Sequence, residues 1–221
     1  MFGQDLDYNI DIVMCIDASI SMRHVINQVK DSVMTFPQRI NNAMALEDKK
    51  VAQLRVKVIV FRDFLYDEDA LVESPFFVMG EDDGLLANFV ADIEAKGGGW
   101  AGAPKNALEA LARAIKSDWV RTGAVRRHVV LMFTDTGALQ LGERANSPNY
   151  PTDMPKDFAE LERWWEEQYM ERRAKRLIVF APDEKPWNEM CWSKCFQVTP
   201  PFEDFFNETD LDAFTKCIVG F

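Results

Sequence analysis

Four runs of this chain are apolar almost without a break: Asn9 to Ile16, the second half of Leu54-Arg-Val-Lys-Val-Ile-Val-Phe61, His128 to Phe133, and Arg176 to Ala181. A strand with one face in water alternates polar and apolar residues. A strand that is apolar throughout is covered on both faces, as in a mainly parallel sheet layered by helices. The segments between the runs have the spacing such helices need. From Met22 to Met44, apolar residues fall at Val25, Val29, Val33, Phe36, Ile40 and Met44, with Pro37 predicted to kink or break the helix. A short helix is expected over Leu85–Ile93, ending at Gly97-Gly98-Gly99. Others are expected from Pro104 to about Trp119, from about Lys156 to Arg173, and from Thr209 to Ile218.

Leu71 to Met79 reads as a further strand, placed at an edge by Pro75, and Cys195 to Thr199 as a short last one. Adjacent tryptophans at 164 and 165 on one helix cannot both face the core squarely, so one is expected to be half exposed. Strands alternating with helices and joined by right-handed crossovers imply a doubly wound α/β fold. Its Rossmann-like central sheet would have about six strands, one of them an antiparallel edge, with helices on both faces. No internal repeat or linker divides the chain, so residues 1–221 are expected to form one domain.

The formal net charge of −11 makes nucleic-acid phosphates and anionic membrane surfaces unfavourable partners. Two acids in the first seven residues, and an apolar run of only Ile12–Ile16, do not resemble a secretory signal. A cytoplasmic location is the expectation. The four cysteines are then expected to be reduced and mostly buried. Cys191 and Cys195 could join Cys217 around zinc, but a fourth ligand is lacking.

In open α/β sheets ligands bind beyond the carboxyl ends of the strands. The residues there are Asp17-Ala18-Ser19-Ile20-Ser21 after the first strand, Arg62-Asp63 after the second, and Thr134-Asp135-Thr136-Gly137 after the fourth. An Asp-x-Ser-x-Ser turn puts three short oxygen side chains on one tight loop, a set suited to a hard cation such as Mg²⁺ or Mn²⁺. Two neutral hydroxyls among the ligands leave the ion electron-poor, able to accept a carboxylate from outside.

These motifs resemble the von Willebrand factor A (vWA) family, whose metal-ion-dependent adhesion site (MIDAS) combines an Asp-x-Ser-x-Ser turn with a distant Thr and Asp. The resemblance covers essentially the whole chain. Arg62-Asp63-Phe64, the triple glycine before a Pro-led helix, and Arg176-Leu-Ile-Val-Phe-Ala-Pro182 are similar to a bacterial intracellular branch encoded beside kinases and phosphatases of tellurite-resistance or conflict systems. The resemblance implies a vWA fold and a non-catalytic, metal-dependent interaction module. Its ligands would be Asp17, Ser19, Ser21 and Asp135, and its partner a protein offering an Asp or Glu, such as a kinase or phosphatase encoded nearby. One departure stands out. The family's further Thr or Asp ligand would come from the loop Gly97–Ala103, which here carries no oxygen side chain. Water, backbone or Asp63 would fill the position, unless Asp63 instead forms a surface ion pair with a nearby arginine, or the site is lost and the domain is a metal-free scaffold.

Rival motifs are weaker. Gly97-x-Gly99-x-x-Gly102 follows a helical segment rather than the strand that a dinucleotide fingerprint needs. Asp17 could serve as a phosphoryl-accepting nucleophile, but the general acid expected two residues on is Ser19. His24 is expected on a helix surface, and His128 opens a strand. Basic clusters at Arg121–Arg127 and Arg172–Arg176 are expected at the opposite end of the sheet, complementing helix C-termini. The loop Gly137–Pro155 and the aromatic segment Pro200–Phe206 should return to the metal face.

Overall fold

The protein is described by a computed structural model covering residues 6–199, with 212, 215, 216 and 218–220 near the C-terminus. Its central strand, β1 (Asp7–Asp17), is apolar on both faces because both are covered. Ile10, Ile12, Met14 and Ile16 enter one hydrophobic cluster and Val13 and Cys15 enter another. The first cluster takes helical side chains from α1 (Ile26–Leu46) and α2 (Asp83–Ala91), with Ile218 and Val219 near the C-terminus, and the second from α3 (Ala107–Ile115) and α4 (Phe158–Arg163).

Seven strands form one mostly parallel sheet, six of them in the order β3-β2-β1-β5-β6-β7 and the seventh, β4, paired to β2 off this path. The parallel members are β1, β2 (Lys50–Phe61), β5 (Val125–Phe133), β6 (Lys175–Phe180) and β7 (Cys195–Val198). The segment read as one strand over Leu71–Met79 is two, β3 (Leu71–Glu73) and β4 (Phe77–Val78), both antiparallel to β2. Pro75 lies between them. Here the Ser74 hydroxyl accepts from Val58 N–H at 2.9 Å, occupying a ladder position beside a residue that has no amide hydrogen to give. The edge assignment holds; the continuity does not.

Three helices differ from expectation for local reasons. The predicted Met22–Met44 helix begins as a 3₁₀ turn (Ile20–His24), and α1 then runs through Pro37 to Leu46 as one element. The buried stripe Val29, Val33, Phe36, Ile40 and Met44 holds it against the sheet despite the missing hydrogen bond. The helix expected over Pro104–Trp119 shrinks to α3. At its start the amides of Lys105 and Asn106 bond Gly137 and Arg62 carbonyls instead. Past its end the Trp119 indole donates to Ile115 O. The helix predicted over Lys156–Arg173 is capped by Asp157 and passes into a π-helical turn, Trp164–Gln168. That wider turn lets both tryptophans be buried, correcting the expectation that one is half exposed. Trp165 donates to Ser193 O at 2.8 Å, and Trp164 packs edge-on against Tyr169.

The described residues of the expected Thr209–Ile218 helix are helical, but most of that segment, with Pro200–Phe206 and Cys217, lies outside the described residues. Among the described residues no helix is long and apolar enough to cross a membrane. Cys15 is buried, Cys195 partly buried and Cys191 exposed, all as free thiols. The basic clusters are expected to complement helix C-termini; within them Lys175 Nζ donates to Trp165 O and to Glu166, and Arg126 pairs with the Glu171 side chain.

Candidate metal centre

The strand order brings the chemistry together. From β1 the chain moves outward to β2 on one side and later returns to β5 on the other, so the ends of β1 and β5 are neighbours, with Ile16 opposite Phe133. Asp17 and Thr134-Asp135 therefore leave the sheet side by side. The turn after Asp17 is held by its surroundings. Ala18 N–H bonds Phe61 O at 3.0 Å and Ile20 N–H bonds Gly97 O at 3.1 Å. The buried Arg62 guanidinium donates to Ala18 O, Asp69 O and Glu94 O.

Within this frame the oxygens converge. Asp17 is fully buried. Its Oδ1 accepts from Ser19 N–H at 2.9 Å and its Oδ2 from the Thr134 hydroxyl at 2.8 Å. The hydroxyls of Ser19 and Ser21 lie 3.1 Å apart, and Ser21 donates to Asp135 Oδ1 at 3.0 Å. Two oxygens on one edge of an octahedron around Mg²⁺, each about 2.0–2.1 Å from the ion, are about 2.9 Å apart. The spacing of Ser19, Ser21 and Asp135 is compatible with that edge, so this donor set fits a hard divalent ion. Among the described residues no three His, Cys, Asp or Glu side chains converge, so any such site depends on the serine hydroxyls.

The two acids strain against each other. Burial, and then the Asp135 carboxylate, push the Asp17 carboxyl up to about 6, although hydrogen bonds from Ser19 and Thr134 pull it down. Burial also raises Asp135, opposed by the Ser21 hydroxyl and by the charges of Lys105 and His24. Both carboxyls resist ionisation here, and a cation would relieve both.

Asp63 is elsewhere engaged. Its Oδ1 accepts from Arg144 Nε at 2.9 Å and from Leu65 N–H at 2.9 Å, and its Oδ2 accepts from a second Arg144 nitrogen at 3.2 Å. No hydrogen bond among the described residues ties it to Asp17, Ser19, Ser21 or Asp135. The loop Gly137–Pro155 lies against this second turn through Arg144, and through Asn149, which donates to the carbonyls of Asp67 and Glu68. His24 is exposed, with Nδ1 against Ser21 O, and His128 is buried against Trp119.

The glycine-rich loop covers one flank of the site. Gly98 sits on Ser19 so closely that a Cβ there would lie 2.3 Å from Ser19 Cβ. Beneath the same loop Lys105, 1% exposed, donates to Trp100 O at 3.0 Å and Ala103 O at 2.6 Å. Sequence reasoning missed Lys105, since a lysine at the head of a helix ordinarily points to water. It also gave no role to Thr134, which the Thr-Asp pair could have signalled.

No protein-family model matches this chain, and no curated protein matches it in sequence. Among solved structures it is similar to the pilus adhesin SpaC from Lactobacillus rhamnosus GG. One crystal structure aligns with a TM-score of 0.58 at 13% identity, and another, of the open conformation, with 0.56 at 12%. Each alignment covers 96% of this chain and 30% of the adhesin chain. Identity this low speaks to the fold alone.

Proposed function

We propose that this chain is a doubly wound domain of the vWA type that uses a divalent ion, Mg²⁺ or Mn²⁺, to grip a partner protein through an Asp or Glu. Ser19, Ser21 and Asp135 would hold the ion, with Asp17 acting directly or through water while Thr134 and the Ser19 amide fix its orientation. The partner is a protein, such as a kinase or phosphatase encoded nearby, and the setting cytoplasmic. The observation that carries this reading is the run of oxygens about 3 Å apart, backed by two buried carboxyls that a cation would stabilise.

When bound, the ion supplies an electron-poor position that an external carboxylate can complete. The chain's own residues do the rest: Arg62 braces the Asp17–Ser21 turn, and Gly98 allows the loop to close against Ser19. The reading that Asp17 is a phosphoryl-accepting nucleophile is disfavoured, because its carboxylate is fully buried and both oxygens are bonded. The metal-free scaffold is the second reading, favoured by the lack of a side-chain oxygen in Gly97–Ala103.

Thermal unfolding of wild type and Asp17→Ala, in EDTA and in millimolar Mg²⁺ or Mn²⁺, separates the two. An ion at about ten times its dissociation constant adds roughly 1.4 kcal/mol to a folded state that alone binds it. A rise of a few degrees that Asp17→Ala abolishes supports the metal centre. An equal response in both proteins, or none in either, leaves the scaffold.

A further inference from the structure

A buried lysine needs an explanation that a surface lysine does not, because its charge has left water. Lys105 Nζ has three N–H groups, and the carbonyls of Trp100 and Ala103 take two. The third has no partner among the described residues. No carboxylate bonds the ammonium either. The Lys105 Cε and the Ser19 Cβ flank one point, lying 3.0 and 2.3 Å from where a Cβ on Gly98 would sit, and the lysine's charge favours the ionised form of Asp135. Lys105 is also locked in register with the segment after Asp135. Its N–H bonds Gly137 O at 3.3 Å, and its carbonyl accepts from Leu139 N–H at 2.8 Å.

The charges bearing on these carboxylates are Asp135 at Asp17, and Lys105 and His24 at Asp135; of these only His24 is exposed to water. Two carboxylates and one ammonium leave the site at minus one. A divalent ion turns that into plus one, and a single external carboxylate brings it to zero. Without Lys105 the loaded site would already be neutral and would gain less from an anion.

We infer that Lys105 is a resident cation coupling the two ligands of this site, weakening the hold on a bare divalent ion while strengthening the loaded site's hold on an anion. The inference rests on the metal-centre reading above. It identifies the residue that makes metal binding conditional on an acidic partner, its ammonium held beneath the loop from which a protein ligand is missing.

The test measures Mn²⁺ binding at pH 8 from the EPR signal of the free ion, in sodium acetate and in sodium chloride of equal ionic strength. The proteins are wild type, Lys105→Gln, which keeps N–H donors for the two carbonyls, and Lys105→Met, which keeps only the stem. Wild type should bind Mn²⁺ more tightly in acetate than in chloride. Lys105→Gln should bind it at least about tenfold more tightly than wild type in chloride, from the removal of one like charge at short range, and should lose most of the acetate effect. Lys105→Met should follow Lys105→Gln if charge, rather than the tether to the loop, is responsible.

Equal Mn²⁺ affinity in wild type and Lys105→Gln, with the acetate effect intact, overturns the role of Lys105 and leaves the metal centre standing. Should neither variant fold, wild type alone decides, since equal affinity in acetate and chloride also overturns it. No Mn²⁺ binding by any of the proteins in either salt removes the metal centre itself.

Discussion

Two glycines of one loop, Gly98 and Gly102, share a backbone φ of +76° but differ in what lies beside them. A side chain at either position must adopt the left-handed conformation, at a cost of about 1–2 kcal/mol. At Gly102 nothing lies within 4 Å of the new Cβ, so Gly102→Ala should pay that cost and no more. At Gly98 the Cβ would meet Ser19 Cβ at 2.3 Å, Lys105 Cε at 3.0 Å and Ser19 Cα at 3.2 Å. Restoring ordinary contact at about 3.4 Å means a relative displacement of about 1.1 Å, several times the ±0.2 Å within which metal–ligand distances are held. Overpacking adds about 1–3 kcal/mol, so Gly98→Ala should lose about 2–5 kcal/mol. For a chain of this size each kcal/mol lowers the melting temperature by roughly 2–4 °C.

The sharper readout is the increment produced by Mg²⁺ or Mn²⁺ over EDTA. Gly102→Ala should melt lower but keep the full increment. Gly98→Ala should melt lower still and lose it, because Ser19 has been moved. A Gly98→Ala protein with an unchanged metal increment would refute the assignment of Ser19 as a ligand seated by this loop. Equal destabilisation in the two variants would refute the steric argument.

The pH dependence and the second acidic turn offer independent checks. The folded-state pKa of Asp17, about 6, lies above its ordinary 3.8, so between those values the folded protein binds more protons than the unfolded one. In EDTA this group's contribution to stability should fall as pH rises from about 4 to about 6, and the metal increment should be larger at pH 7.5 than at pH 5; an increment in melting temperature that is equal at the two pH values would contradict it. Arg144→Ala should cost about 2–4 kcal/mol by leaving the Asp63 carboxylate buried without its ion pair. Asp63→Asn should leave the metal increment untouched, and a lost increment would make Asp63 a ligand after all.

The parts of this molecule that were legible in the sequence are those where one physical demand acts on many residues at once. Strands β1, β5 and β6 must be apolar on both faces, and their alternate side chains do enter different clusters. Pro75 marked the antiparallel edge because it has no amide hydrogen to offer a neighbour. Asp17, Ser19, Ser21 and Asp135 were legible because strand ends bring short oxygen side chains to one place. What escaped depends on single encounters distant in sequence. An arginine partner for Asp63 was expected, but not that it is Arg144, eighty-one residues on, in a loop whose path no periodicity sets, nor that the carboxylate is buried. Trp164 and Trp165 are both buried only because a helix widens into a π turn at them. Lys105 looks like any solvent-facing lysine until the glycine loop folds over it.

The three bonds of Arg62 have a consequence for how the candidate site opens. They join Ala18, Asp69 and Glu94, which belong to three separate connections, while Lys96 N–H bonds Ala18 O and Ile20 N–H bonds Gly97 O across the same junction. None of these segments can move off without breaking bonds held by another. Their amides therefore belong to one cooperative opening unit rather than to loops that fray singly, and solvent hydrogen reaches Ala18, Ile20 and Lys96 by a shared event. A residue with no direct bond to the candidate ligands thereby ties together the three connections around them.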